Sequence, residues 1–206
     1  MNKVWASLFS ALVVSLPTQA RAGALPSFWC SFTEPFITIS SASNGLVYQT
    51  GLESEVLPNP KSQRHGGAVE ISGKLKSGES IALSITKGEG SDGMSEYYFP
   101  YVGQLSGAAA VTGGCVNLPK GTRLAQVVGV ADGDVLNIRD RSSANGKVLG
   151  KVTGNIVWMK QGEGSGRNGW QSIAAVAPPS NERGTMGVVT GWVNGKYLAR
   201  DFEKRR

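Results

Sequence analysis

Apolar and polar residues alternate with a period of two along much of the chain, as they do in strands that bury one face. In the first half the alternation is clear in residues 36–40, 46–50, 69–75 and 81–85. In the second half the candidate strands are shorter, at residues 125–131, 135–139, 148–152, 156–160, 170–173 and 188–193. The pattern predicts a series of short strands rather than helices.

Turn signals separate these strands at short intervals. Asn44-Gly45 lies between the first two runs and predicts a tight hairpin. Similar steps separate the later runs, at Asp132-Gly133, Asn145-Gly146 and Asn194-Gly195. A sheet with one apolar face must close on itself or pack against a second layer. We therefore predict an all-β fold of two small domains, an N-terminal antiparallel sandwich or barrel (23–118) and a C-terminal barrel (119–199).

The first 22 residues have the features of a secretory signal. Lys3 supplies a basic start, residues 4–16 are mostly apolar, and Ala20-Arg21-Ala22 matches a cleavage site with small residues. The apolar stretch is shorter than the about 20 residues that a membrane-spanning helix needs. We predict a signal peptide over residues 1–22, no membrane span in the mature chain, and a periplasmic or secreted location.

Two cysteines fit this export. Cys30 and Cys115 lie near opposite ends of the first predicted domain. In an oxidising compartment two such cysteines usually form a disulfide, which would stabilise the fold by about 4 kcal/mol in the chain-entropy interpretation. Two buried free thiols are the alternative.

Charge and composition exclude several classes of function. The formal net charge is +6, and removal of the signal leaves 19 basic against 15 acidic residues. Part of the excess lies in a basic tail at residues 200–206, which is either a solvated end or a contact for anionic lipid or polymer. No basic helix argues for nucleic acid, and the single histidine, His65, gives no set of metal ligands. We predict neither a metal nor a cofactor.

Five spaced elements in the second domain form a recognisable series. They are Val135–Arg139, Val148–Gly150, Gly169-Trp170, Gly191–Val193 and Lys196–Leu198. In this order they resemble the bacterial SH3 domains over residues 124–199. The resemblance implies an SH3-like barrel that binds cell-wall peptides or an envelope protein.

The resemblance also implies a shallow aromatic groove. Trp170, Trp192 and Tyr197 are its candidate walls, although both tryptophans are alternatively core residues. Alternation places Asn137 and Arg139 on the face opposite the apolar residues of their strand. Arg139 is a candidate to bind a peptide carboxylate; the alternative is a structural arginine that pairs with a nearby acid.

Two departures from the SH3 pattern affect the predicted barrel. The family often has Gly-Pro shortly after the arginine, where this chain has Asp140-Arg141. The stretch from Trp170 to Gly191 is also longer than usual. We expect it to extend a hairpin over one end of the barrel.

The first domain has its own set of motifs. They are Cys30, Glu34-Pro35-Phe36, Ser91–Ser95, Tyr98–Tyr101 and Gly114-Cys115. Together they are similar to a family of uncharacterised bacterial envelope proteins, over residues 28–116. The family usually has an aromatic residue and a cysteine where this chain has Ile37 and Gly90. The resemblance implies a compartment and no activity.

Three polar residues of these motifs are candidates for chemistry. Ser95 as a nucleophile would need a base, and His65, the only histidine, lies among residues that predict an exposed loop. Glu34 and Asp92 are the alternative, as an acid pair for glycan hydrolysis. We favour a structural loop over either, and therefore predict no catalytic residues.

These observations predict a binding protein of the cell envelope that is not an enzyme. A host-facing adhesin or effector is the first alternative, because of the mild basic charge and the aromatic residues. A cell-wall hydrolase, or an inhibitor of one, is the second. The sequence makes no prediction of the oligomeric state.

Overall fold

The computed structural model describes residues 25–51, 53–152, 156–160, 169–178 and 184–199. Strands make up 65% of these residues, and no α-helix occurs among them. The two sheets are antiparallel and curl into half-barrels. The predicted all-β class with two small β-domains is confirmed.

The first sheet contains ten strands, nine of which follow one another closely in sequence. They are β1 (Phe28–Phe32), β2 (Ile37–Ala42), β3 (Gly45–Thr50), β4 (Glu53–Leu57), β5 (Lys61–His65), β6 (Ala68–Lys74), β7 (Ser80–Gly90), β8 (Tyr97–Gly107) and β9 (Val111–Asn117). Their spatial order is β4-β3-β2-β1-β9-β8-β7-β6-β5. Two meanders are therefore joined where β1 and β9 pair.

The second sheet contains seven strands. They are β10 (Thr122–Val127), β11 (Leu136–Arg139), β12 (Val148–Val152), β13 (Ile156–Lys160), β14 (Trp170–Ala177), β16 (Gly187–Asn194) and β17 (Leu198–Ala199), with a 3₁₀ turn at Gly195–Tyr197. Their spatial order is β12-β11-β16-β14-β13-β10-β17. The short strand β15 (Gly184–Thr185) instead pairs in parallel with Tyr97 and Tyr98 of β8. Gly184 and Thr185, which precede β16, thus reach the first sheet.

The predicted disulfide is confirmed. Cys30 of β1 and Cys115 of β9 lie directly opposite each other and are fully buried. They belong to a continuous core formed by one face of the first sheet, which includes Phe32, Ile39 and Leu83. The bond therefore joins the two meanders at the centre of this core.

A separate hydrophobic cluster joins the two sheets. The outer face of the first sheet contributes Trp29, Ala42 and Val47, and the second sheet contributes Leu124 and Trp158. Trp158 is only 1% exposed, and its indole nitrogen donates a hydrogen bond to the backbone oxygen of Ser41, 3.1 Å away. The sheets are therefore packed against each other by apolar side chains.

The hairpin turn of the first sheet also pairs with the second. The side-chain amide of Asn44 donates to the backbone oxygen of Leu124 at 3.2 Å, and the Leu124 nitrogen donates to Asn44 Oδ1 at 2.7 Å. Ser43 Oγ donates to the backbone oxygen of Thr122 at 2.9 Å. Strand β17 pairs only with Gln126 and Val127 of β10. The turn therefore occupies the edge of β10 that β17 does not reach.

Some predictions differ from the observed strands or fall outside them. The sequence predicts a loop at His65, but this residue ends β5, paired with Ala68, and is exposed as expected. Strands β1, β4, β5, β8 and β9 show no clear alternation in the sequence. The predicted signal peptide (1–22) and basic tail (200–206) lie outside the described residues. None of the described helical segments is long and apolar enough to cross a bilayer.

Candidate functional site

A groove of about 540 Å³ lies on the second sheet, between β11 and the segment that precedes it. Four of the five residues that the sequence singles out for binding contribute to its lining, namely Asn137, Arg139, Trp170 and Tyr197. All four side chains are partly exposed. A groove of this size is large enough for a small ligand or a short peptide segment.

Alternation and strand pairing explain how these side chains meet. Leu136 and Ile138 of β11 point into the core, so Asn137 and Arg139 point to the opposite face. Trp170 begins β14 and lies opposite Asn194 of β16, which also lines the groove. The neighbouring strands β11, β16 and β14 therefore present one wall that combines amide, guanidinium and indole groups.

The 3₁₀ turn positions Tyr197 at one side of this wall. The backbone nitrogen of Lys196 donates to Asn194 Oδ1 at 3.1 Å, which caps the turn. Tyr197 packs partly against the core of the second sheet, and the Lys196 ammonium lies 4.6 Å from its ring centre. The ring is therefore fixed on one side and accessible on the other.

Arg139 has a structural contact that is not the predicted ion pair. Its Nη1 donates to the backbone oxygen of Gly146 at 2.7 Å, which ties β11 to the turn before β12. No carboxylate pairs with Arg139 among the described residues. Since a guanidinium carries five N–H donors, this single bond leaves donors for a ligand.

Trp192 lies beside the groove and not in its lining. Its cross-strand partners are Arg139 and Ser172, so it shares the outer face of the second sheet with Arg139. The preceding residue must be glycine, because a Cβ on Gly191 would lie 2.5 Å from the Arg139 backbone oxygen. Close approach of β11 and β16 therefore explains this glycine.

Sequence reasoning misses two polar residues of the groove. Asp134 and Asn194 line the groove, and they lie next to Gly133 and Gly195, in steps whose pattern predicts only turns. Asp134 Oδ1 accepts a hydrogen bond from the Val135 nitrogen at 2.7 Å. The exposed Asp134 carboxylate and the Arg139 guanidinium give the groove charges of both signs.

In the first domain, Asp92 and Ser95 organise a loop. Asp92 Oδ1 accepts hydrogen bonds from the backbone nitrogens of Met94 and Ser95, at 3.1 and 2.8 Å, and from Ser95 Oγ at 2.9 Å. This arrangement is an Asx-type turn in which the carboxylate satisfies local donors. The motif therefore has a structural explanation at this loop.

The other two candidates for chemistry, Glu34 and His65, lie on different elements from Asp92 and Ser95. Glu34 is exposed in the turn between β1 and β2, with a positive φ of 58°. Within the described ranges, no hydrogen bond joins His65 to Ser95 or Glu34 to Asp92. The described residues also contain no group of three or more His, Cys, Asp or Glu placed to hold a metal ion.

The chain matches no family model, and no curated protein or solved structure matches it. The resemblances to bacterial SH3 domains and to an envelope-protein family therefore stay predictions that rest on their motifs.

Proposed function

We propose that this protein is an exported binding protein of the cell envelope, and that the groove on its second sheet takes a cell-wall peptide or a segment of an envelope protein. The observation that carries the proposal is the shared groove of Asn137, Arg139, Trp170 and Tyr197. The sequence separates these residues by up to 60 positions, and the strands bring them to one surface.

The chemistry of the groove favours a short peptide. Trp170 and Tyr197 offer rigid aromatic surface, which binds ligands at a small cost in side-chain entropy. Arg139 has free donors for a carboxylate, and Asp134 is an acceptor for an amine. Stem peptides of the cell wall carry both of these groups on a compact backbone.

Two observations support export. The disulfide between Cys30 and Cys115 fits an extracellular location, because such bonds form in oxidising compartments. The basic, apolar and small-residue pattern of residues 1–22 is typical of a secretory signal. Both observations support a periplasmic or secreted location.

Sedimentation with purified peptidoglycan sacculi tests the proposal. Residues 23–206 should bind in a saturable manner, and free stem peptide should compete. Trp170→Ala should weaken binding about tenfold or more, because it removes one aromatic wall. Leu149→Ala is the matched control, because Leu149 is 44% exposed on the same sheet and does not line the groove.

The outcomes separate the two kinds of partner. If sacculi retain the unmodified protein and the Leu149→Ala variant but not the Trp170→Ala variant, the cell-wall peptide is supported as the ligand. If sacculi retain no protein, crosslinking from a photoreactive group at position 137 in intact cells should capture an envelope protein. Saturable binding to neither would refute the proposal.

A further inference from the structure

A second groove lies between the two sheets, on the outer face of the first. Its volume is about 300 Å³. The walls include Trp29, Phe36 and Gln49 from the first sheet and its turns, and Ile156 from the second sheet. Both sheets are therefore needed to form it, and it shares no lining residue with the groove at Trp170.

Strand register arranges this surface in rows. Ser31 of β1 lies opposite Thr38 of β2, and Thr38 lies opposite Gln49 of β3. These three polar side chains form one row across the sheet. Trp29 lies two residues from Ser31 on the same face, and Phe36 lies two residues from Thr38 in the other direction. A polar row is therefore flanked by an aromatic residue on each side.

Both aromatic residues are accessible and one is firmly held. Phe36 is 62% exposed. Trp29 is partly exposed, and its ring stacks on Phe99 with centroids 6.2 Å apart. Phe99 packs so closely on Gly114 that a Cβ there would lie 2.2 Å from the ring. The Trp29 ring is thus oriented before any ligand binds, which lowers the entropy cost of binding.

The polar row has unused hydrogen-bonding groups. Thr38 Oγ1 donates a long bond of 3.5 Å to Gln49 Oε1. Within the described part of the chain, no hydrogen bond involves the Gln49 amide nitrogen or the Ser31 hydroxyl. The Gln49 amide nitrogen is a donor, and the Ser31 hydroxyl is both a donor and an acceptor. Both can therefore form hydrogen bonds with the hydroxyls of a ligand.

Charge distinguishes this groove from two others. None of the described residues that line it is charged. The groove at Trp170 contains Asp134 and Arg139, and a cleft near Tyr48 contains Glu55 and Lys76. A charged ligand would have no counter-charge between Trp29 and Phe36.

We propose that this inter-sheet groove binds a neutral oligosaccharide. Sugar rings present C–H faces that pack on aromatic rings, and their hydroxyls bond to amides and hydroxyls. Trp29 of β1 lies opposite Ser40 of β2, and Phe36 immediately precedes β2. Rows on one face of a strand are about 7 Å apart, so the two aromatic residues are roughly 14 Å apart in the strand direction. A disaccharide or trisaccharide spans this distance, while a single sugar does not. The inference does not depend on the proposed peptide groove.

Titration of ¹⁵N-labelled residues 23–206 with cellotriose and N,N′,N″-triacetylchitotriose, both neutral, tests this inference. At least one trisaccharide should shift the Trp29 indole signal in a saturable manner, with a Kd of about 1 mM or lower. Trigalacturonate, an anionic trisaccharide, should bind at least about tenfold more weakly, because no cation lines the groove. A Trp29→Phe variant assigns the indole signal.

Variants locate the binding. Phe36→Ala and Gln49→Ala should each weaken it about fivefold or more. Met94→Ala is the matched control, because Met94 is 66% exposed on the same domain and does not line the groove. Trp170→Ala should leave trisaccharide binding unchanged, which separates this inference from the proposed peptide site. The inference would be overturned if neither neutral trisaccharide gave saturable binding. It would also be overturned if the Phe36→Ala variant bound the trisaccharide as tightly as the unmodified protein.

Discussion

The two sheets are held together in different ways. The first has a core cluster of 15 buried residues among those described, crossed by the disulfide between Cys30 and Cys115. The corresponding cluster inside the second sheet has 9, and no disulfide crosses it. Small cores contribute little net stability on their own. The second sheet therefore depends on surface that it buries against the first.

This dependence is visible at three contacts. Trp158 of the second sheet is buried against the first, and Asn44 of the first sheet pairs with the backbone of β10. Strand β15 pairs with β8. The first sheet is thus a scaffold for the second. The groove at Trp170 lies on the second sheet, and part of that sheet's stability comes from its contacts with the first. Breaking these contacts one at a time measures that dependence.

The largest effect is expected for Trp158→Ala. Removal of a fully buried tryptophan leaves a large cavity and deletes its hydrogen bond to the Ser41 backbone oxygen, so we expect a loss of about 5 kcal/mol in unfolding free energy. Protection of backbone amides from exchange should fall in β13 and β14 before it falls in β7 and β8. The reason is that Trp158 is the second sheet's main contact with the first. Urea unfolding followed by amide hydrogen exchange measures both the size and the location.

Trp170→Ala is the matched control for this variant. It makes the same substitution in the same sheet at a partly exposed position, and we expect about 1 kcal/mol or less. Equal losses for the two variants, or uniform loss of protection in both sheets, would contradict the scaffold interpretation.

The second largest effect is expected for the double variant Cys30→Ala/Cys115→Ala. The disulfide joins residues 85 positions apart, and its removal should lower the unfolding free energy by about 4 kcal/mol. Because the first sheet supports the second, protection should fall in both sheets, in contrast to Trp158→Ala. Reducing agent added to the double variant should have no effect, which controls for other redox chemistry. Loss confined to the first sheet would argue against the proposed dependence.

The sequence predicted strands whose residues alternate between apolar and polar, and it missed strands without that alternation, such as β5 and β9. The hairpin of β2 and β3 followed from alternation and Asn44-Gly45. Strand β5 is polar on both faces because it lies at a sheet edge, so it carries no hydrophobic period. In β9, Gly113 and Gly114 occupy positions where the rings of Phe32 and Phe99 pack. At these two positions the phenylalanine rings fill the space that an apolar side chain would occupy. The sequence of β9 therefore shows glycines where alternation would require apolar residues.

The groove was predictable in part for the same reason. Alternation in β11 placed Asn137 and Arg139 on the outer face, whatever the tertiary structure. Trp158 was not singled out, although the apolar run Ile156–Met159 is typical of a strand buried on both faces. The sheet that covers Trp158 comes from a segment more than 100 positions away, and one sequence does not reveal such a pairing.

Asn44→Ala should have a smaller effect than either earlier variant. It removes two hydrogen bonds to the Leu124 backbone and leaves partly buried groups unpaired, so we expect a loss of about 2 kcal/mol. Exchange should increase at the β10 edge in particular. Asn145→Ala is the control, since Asn145 also precedes a glycine in a turn and its side chain makes no hydrogen bond with a described residue. A loss of about 0.5 kcal/mol or less in both would show that the Asn44 contact adds no stability.

The smallest effect concerns alkaline pH and the first sheet alone. Burial raises the pKa of the Tyr48 phenol above 10.0, and the nearby carboxylates of Glu79 and Glu55 raise it further. A group whose pKa is raised on folding stabilises the fold fully below its unfolded pKa, and that contribution is lost as pH rises above it. The unmodified protein should therefore lose stability above about pH 10, and Tyr48→Phe should lose less.

Glu79→Gln distinguishes the two causes of this alkaline loss. It removes one carboxylate and leaves Tyr48 buried, so its loss above about pH 10 should lie between those of the unmodified protein and Tyr48→Phe. Unfolding free energies measured between about pH 8 and pH 11 give the three profiles. If Glu79→Gln matches Tyr48→Phe, the carboxylate charge and not burial is the larger cause of the raised pKa. The β3 and β4 amides should lose protection before those of the second sheet, since Tyr48 belongs to the core that the second sheet does not share.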